Sequence, residues 1–372
     1  MADEIKAIKM PKWGLAMTEG TVVAWHANEG DRVDAGSDLV EIETPKITNL
    51  YESPVSGVLR RKVAQVGQTL PVGALLAVVA DEAASDAAID AFIAKFVEEF
   101  VPESESDVDA LQPQMIEAGG RRIRYLKMGD GEHVPVVFIH GFGGDLNNWL
   151  FSQPVLAQTR PAYSIDLPGH GQSTKQVDGG TVEFLAAAVF AWLEALEIDI
   201  AHLVGHSLGG ATAIELALSR PQCVKSLTLI APAGLGPEIN FDYIQGFIRA
   251  NRHKQLRPVI EQLFADRSLV GRKMLDDIIN FKRIDGAVEA LSTIADTVFR
   301  DGRQSVNLAP RLSELAMPVQ VIWGAEDQII PAAHVKAIQR SAAVHLIPGA
   351  AHMVHMEKAD EVNALIGKFI AD

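Results

Sequence analysis

The stretch Ala201-His202-Leu203-Val204-Gly205-His206-Ser207-Leu208-Gly209, running on into GATAIELALSR at 210–220, decides how this chain is read. A short apolar segment of strand character meets a G-x-S-x-G turn, and helix-forming sequence follows at once. G-x-S-x-G alone is a weak pattern; in a strand, turn, helix context it describes a nucleophile elbow. The glycines remove side chains that would clash at the sharp turn and leave the Ser207 hydroxyl exposed beside the first helical N–H groups. A hydroxyl is a poor nucleophile until a base takes its proton, so a histidine is expected downstream.

Two histidines stand together in GAAHMVHMEKADE at 349–361. His352 is preferred, because it lies three residues past Gly349 on the loop leaving the last expected strand. His355 is placed at the start of the closing helix and read as structural. An acid must fix the imidazole tautomer and stabilise the imidazolium. Asp327 in WGAEDQIIP follows the expected strand Val319 to Trp323 and suits that role, with its neighbour Glu326 in reserve. Leu208, as the residue after the nucleophile, and Phe142, in His140-Gly141-Phe142-Gly143-Gly144, are the expected backbone donors of an oxyanion hole. His170 and His206 are read as structural, and Cys223 as a small buried hydrophobe.

Outward from these motifs, residues 113 to 372 alternate strand and helix patterns, which argues for a mostly parallel sheet covered by helices. The expected strands include Val136 to Ile139, Ala162 to Asp166, His202 to Val204, Ser226 to Ile230, Val319 to Trp323 and Val344 to Ile347. Between about 236 and 316 the pattern is helical, as befits a cap over an active site. Within it Arg249, Arg252, Lys254 and Arg257 read as a solvated helix face. The region resembles the α/β-hydrolase fold family, a likeness specific for architecture and triad and poor for substrate.

Residues 1–80 differ in kind, with short β-type runs between glycine-containing turns and no helical periodicity. Glu29 to Ile42 (EGDRVDAGSDLVEI) and Val66 to Val79 (VGQTLPVGALLAVV) align without gaps at an offset of 66 − 29 = 37. This twofold repeat implies two half-sheets about a pseudo-twofold axis. The repeat, MPKWGLAMTEG at 10–20 and EIETPKI at 41–47 together resemble a lipoyl domain, an all-β flattened barrel. The resemblance implies lipoic acid amide-linked to Lys46 at a hairpin tip. An aspartate commonly precedes that lysine, and here Pro45 does. Biotinyl carriers share the fold, but methionines usually flank their lysine.

Residues 81–112 carry ten acids against one base, Lys95. Ile89, Phe92, Ile93, Phe96, Val97 and Phe100 fall at helical spacing, with Ser85 as N-cap and Pro102 as stop, ahead of a PESESDVD tether. The apolar stripe packs on a neighbouring domain of the same chain, the preferred reading, or docks another subunit. In the whole chain of 372 residues Lys+Arg 33 against Asp+Glu 48 gives 33 − 48 = −15, a field that repels phosphate backbones and anionic membranes. Val63 to Ala80, the longest uncharged run, is broken by Gly and Pro and suits no bilayer span. With no secretory pattern at the start and a single cysteine, a cytoplasmic setting is expected.

A lipoyl domain joined to a hydrolase-fold domain resembles the dihydrolipoamide acetyltransferase subunits of acetoin dehydrogenase complexes. That resemblance implies an acyltransferase that passes acetyl from the arm on Lys46 to coenzyme A. It implies as partners thiamine-diphosphate acetoin dehydrogenase subunits that load the arm, a flavin-dependent dihydrolipoamide dehydrogenase that reoxidises it, and an enzyme that attaches lipoate. The H-x-x-x-D-G signature of ordinary lipoyl acyltransferases does not occur here. Two other classes use the same residues differently: a lipoyl-tethered esterase or thioesterase releasing acyl groups to water, and a noncatalytic carrier.

Overall fold

In the computed structural model the described residues are 5–371 except 12, 14–16, 45–47, 82, 101–111 and 339–340. Two compact units meet in the chain between Gln112 and Pro113.

The first unit is built on two four-stranded antiparallel sheets. Its strands are β1 (Lys6–Lys9), β2 (Glu19–Trp25), β3 (Arg32–Val33), β4 (Asp38–Glu43), β5 (Thr48–Glu52), β6 (Gly57–Lys62), β7 (Thr69–Pro71) and β8 (Leu75–Ala80). The sheet orders are β1-β8-β6-β3 and β5-β4-β2-β7. Adding 37 to the bounds of β4 (38 + 37 = 75, 43 + 37 = 80) gives those of β8, so the sequence repeat is a structural one. The symmetry reaches single hydrogen bonds, since Gly30 N donates to Leu59 O and Gly67 N to Val22 O, both at 2.8 Å. These glycines have φ +92° and +83°, and a Cβ added at either would meet nothing within 4 Å. Glycine is needed there for the backbone angle, not for space. Ile8, Val22, Leu39, Ile42, Leu59, Leu76 and Val79 form the core between the sheets.

The two halves differ on their outer faces. Along β4 (DLVEIE) Glu41 is half-buried and Asp38 and Glu43 are exposed, whereas every residue of β8 (LLAVVA) is buried. A strand covered on both sides reads as a continuous apolar run. The cover is the helix Asp86–Glu99, whose N-cap Ser85 accepts from Ala88 N. Ile89 enters a second small core with Leu75, Val78, Ala80 and Ala84, and Phe92, Ile93 and Phe96 pack against it. The stripe read from sequence thus lies on this sheet, except that Val97 is 60% exposed. Pro102 lies outside the described residues.

The second unit holds an eight-stranded sheet. Its strands are β9 (Gln114–Ala118), β10 (Arg121–Met128), β11 (Val136–Ile139), β12 (Ala162–Ile165), β13 (Ala201–His206), β14 (Val224–Ile230), β15 (Val319–Gly324) and β16 (Ala343–Ile347). They are ordered β16-β15-β14-β13-β11-β12-β10-β9. The pairs from β12 through β16 are parallel, and β9 and β10 add an antiparallel edge. All residues of β11, β13 and β15 are buried, as central parallel strands must be.

Between β14 and β15 lie the helices Phe241–Arg249, His253–Ile260, Arg272–Lys282 and Ala287–Val298, and among the described residues no named strand interrupts them. The two ends of this cap are fastened together. Gln304 accepts Gly234 N at 2.6 Å and donates to Glu238 O at 2.7 Å, and Leu308 N donates to Gly234 O at 2.7 Å. Among the described residues no helix is long and apolar enough to cross a membrane.

Candidate active site

Strand β13 stops at His206, and the next residue, Ser207, has φ 53° and ψ −118°. A side-chain-bearing residue at positive φ costs about 1–3 kcal/mol and persists only where its surroundings enforce it. Here Ser207 N donates to Ile230 O at 3.0 Å, and its carbonyl accepts from Ala233 N at 3.0 Å and Gly210 N at 2.9 Å. The helix Leu208–Ser219 starts immediately. A Cβ at Gly209 would sit 2.2 Å from Ile139 O and 2.5 Å from His140 O, so only glycine lets this helix meet the end of β11.

Asp327 follows β15 and His352 follows β16. His352 Nδ1 donates to Asp327 Oδ2 at 2.7 Å. The same oxygen accepts Trp323 Nε1 at 2.8 Å, and Oδ1 accepts Ile329 N at 2.7 Å and Ile330 N at 3.0 Å. The carboxylate is wholly buried and fully hydrogen-bonded, the condition under which a buried charge is tolerated. With its Nδ1–H committed, the neutral ring has its basic lone pair on Nε2. Glu326, the reserve acid, faces elsewhere, accepting Ala350 N at 2.9 Å.

His206 reaches from the elbow to the histidine loop. Its Nε2 donates to His352 O at 3.0 Å, and the two rings lie 4.7 Å apart. Burial, then the neighbouring His355 and His352, hold its pKa well below the ordinary value, so it stays neutral. His355 is buried between Trp149 and His206, ring centroids 4.7 and 4.6 Å away. Burial pushes its pKa down to about 3.

On the loop after β11, His140 Nδ1 donates to Gly141 O at 2.8 Å and its Nε2 accepts Leu167 N at 3.0 Å. Burial lowers the His140 pKa, and the neutral ring pins the turn. Among the described residues the backbone N–H groups of Phe142 and Leu208 have no hydrogen-bond partner. Unpaired donors at buried residues are rare and are what an oxyanion requires. The cap closes over this loop: the Phe142 ring lies 5.9 Å from both Phe247 and Phe299.

Lys46 lies outside the described residues. The hairpin that carries it is closed by Glu43 opposite Thr48, with Ile42 opposite Asn49. Positions 44–47 therefore connect two paired strands. Among the described residues no cluster of His, Cys, Asp and Glu could hold a metal ion.

Fold and site together define an α/β-hydrolase-fold protein joined to a carrier domain of the biotin and lipoyl type. Residues 134–359 match the family model for the alpha/beta hydrolase fold, and residues 6–79 the model described as biotin-requiring enzyme. The dihydrolipoyllysine-residue acetyltransferase component of the acetoin cleaving system from Cupriavidus necator is 45% identical, with 100% of each chain covered. Its counterpart from Pseudomonas putida is 46% identical over 99% of each chain. Among solved structures, a meta-cleavage product hydrolase from Pseudomonas fluorescens IP01 superposes with a TM-score of 0.63 at 24% identity, over 70% of this chain and 97% of its own, a likeness of fold alone. The chain belongs to the family of dihydrolipoyllysine-residue acetyltransferase components of acetoin cleaving systems.

Proposed function

We propose that the catalytic unit transfers an acetyl group from a dihydrolipoyl thioester carried on Lys46 to coenzyme A, through an acetyl-serine on Ser207. The observation that carries this reading is the buried Asp327–His352 pair at 2.7 Å, tied to the strained serine elbow by the hydrogen bond from His206 Nε2 to His352 O at 3.0 Å. The lipoyl amide supplies a thiol that presents acetyl as a thioester. The Ser207 oxygen attacks the thioester carbonyl carbon while His352 Nε2 takes the hydroxyl proton. Charge developing on the carbonyl oxygen is met by the amides of Phe142 and Leu208. As the C–S bond breaks, His352 returns the proton to the departing thiolate. The same nitrogen then accepts the coenzyme A thiol proton, the thiolate takes the acetyl group, and Ser207 recovers its proton. Asp327 holds the ring and stabilises the imidazolium without being protonated. Water in place of the thiol would release acetate and waste the thioester, so the aromatic cap residues Phe247 and Phe299 serve to keep the site dry.

Family membership places the chain in a complex with other subunits. We assign the loading step to thiamine-diphosphate acetoin dehydrogenase subunits, reoxidation to dihydrolipoamide dehydrogenase and modification of Lys46 to a lipoate-attaching enzyme, all in the cytoplasm. The test is a product assay on protein confirmed by intact mass to be lipoylated, given S-acetyl-dihydrolipoamide and coenzyme A. Acetyl-coenzyme A that disappears in Ser207→Ala, with lipoylation intact, supports the mechanism. Transfer unchanged in Ser207→Ala removes it, and free acetate indifferent to coenzyme A makes the protein a tethered hydrolase.

A further inference from the structure

One carboxylate spans two parts of the catalytic unit that have to be in place together. Glu357 ends the short helix Val354–Glu357 that follows the histidine loop. Its Oε2 accepts Ala351 N at 2.7 Å, from the residue before His352. Its Oε1 accepts Ala265 N at 2.8 Å and Asp266 N at 3.1 Å, both in the cap. On the other side of His352, Met353 N donates to Leu263 O at 3.1 Å. The histidine is thus flanked before and after by peptides tied to residues 263–266.

The chemistry at Glu357 is demanding. A carboxylate accepts on both oxygens, whereas a glutamine has one acceptor oxygen and an NH2 that would face an N–H. Glutamine could serve the histidine loop or the cap turn, but not both. Burial raises the Glu357 pKa, and the three backbone N–H donors that converge on its carboxylate oppose that rise.

We propose that Glu357 is a positioning residue through which seating of the 263–266 cap turn sets the alignment of His352, so that the base is in place only when the cap is down. The inference rests on His352 being the base of the proposed mechanism. Its consequence is selectivity for the acceptor: an acetyl-serine under a raised cap, where water has entry, faces a misaligned base.

The experiment uses lipoylated full-length protein carrying Glu357→Gln or Glu357→Asp, with Ser207→Ala alongside. Three quantities are read: kcat and KM for acetyl transfer, the rate at which a small organophosphonate labels Ser207, and amide exchange by mass spectrometry over 263–266 and 350–353. The expected result for Glu357→Gln is a fall of about tenfold in both kcat and labelling, KM for coenzyme A within about twofold, and faster exchange in both segments together. Glu357→Asp keeps the charge but is one methylene short; it is expected to fall in between and serves if the glutamine variant does not fold. Labelling and kcat within about twofold of the unmutated protein, or faster exchange in one segment only, overturns the coupling. If Ser207→Ala still transfers acetyl, the triad reading itself fails. If Ser207→Ala is dead and the Glu357 variants are normal, only the coupling does.

Discussion

A pair of glycines in the carrier unit and one glycine in the catalytic unit meet opposite needs. At Gly30 and Gly67 the carrier needs a backbone angle that side-chain-bearing residues resist, and the space around each is open. At Gly209 the catalytic unit needs the absence of one carbon atom, because two carbonyl oxygens already occupy the place where Cβ would be. The first is a property of the chain and repeats with it. The second is a property of packing between distant elements, and it has no repeat. A duplicated β-domain is held by local geometry used twice, whereas an active site is held by contacts each made once.

This contrast can be broken at four points. Gly209→Ala should have the largest effect, costing more than about 3 kcal/mol in the catalytic unit and lowering acetyl transfer about a hundredfold, because neither Ile139 O nor His140 O can move without moving β11. Calorimetry and the transfer assay measure both; near-normal values would show that the helix after Ser207 is free to back away. Acid comes second. Burial lowers the pKa values of His140, His170 and His206 and holds His355 at about 3, all in the catalytic unit. The unfolded chain protonates these rings near the ordinary 6.5 while the folded unit does not, so stability present above that pH is lost as it falls toward 3. The carrier unit has one histidine, His26, and it is exposed. In scans at decreasing pH the catalytic transition should drop first; parallel decline of the two would refute this asymmetry.

Two smaller tests concern the carrier. Ile89→Ala should cost about 2 kcal/mol or more in the carrier transition and leave the catalytic one unmoved, since Ile89 is wholly buried against β8. Gly30→Ala should cost about 1–2 kcal/mol, with Gly30→Asn recovering part of it, because only the angle is at stake. A loss as large as that at Gly209 would mean that space matters at Gly30 too.

Features written into one continuous stretch of chain are legible in the amino-acid order alone. The 37-residue repeat, the elbow around Ser207 and the expected helical insertion each occupy a single segment whose pattern carries its own meaning. The β9–β10 pair is not among the strands expected from sequence: QMIEAGGRRIRYLKM at 114–128 carries five charged residues in fifteen, and neither strand offers the continuous apolar run of a strand covered on both sides. Position 46, the most specific expectation for the carrier, lies outside the described residues. Around the site, the roles of Glu326, Glu357 and His206 are not legible in this way. Glu357 sits in EKADE, where acids look like an ordinary helix start, and its partners at 265 and 266 lie about ninety residues away in sequence. Residues that hold such a loop are chosen by three-dimensional neighbours, and those of this histidine loop come from the elbow (His206), the loop after β15 (Glu326), its own following helix (Glu357) and the cap turn at 263–266.

The fastened ends of the cap have a consequence for how such a protein changes over time. Because Gly234 and Glu238 are bonded to Gln304, and Gly234 also to Leu308, the insertion leaves and re-enters the body at one point. A segment that departs and returns at the same place can lengthen, shorten or be exchanged while the separation of β14 and β15 stays as it is, and a longer closed loop adds little entropic cost. The cap behaves as a cassette. Its obligation to the histidine loop is the 263–266 turn, so recombination that keeps this turn could re-specify the acyl group without rebuilding the machinery beneath it.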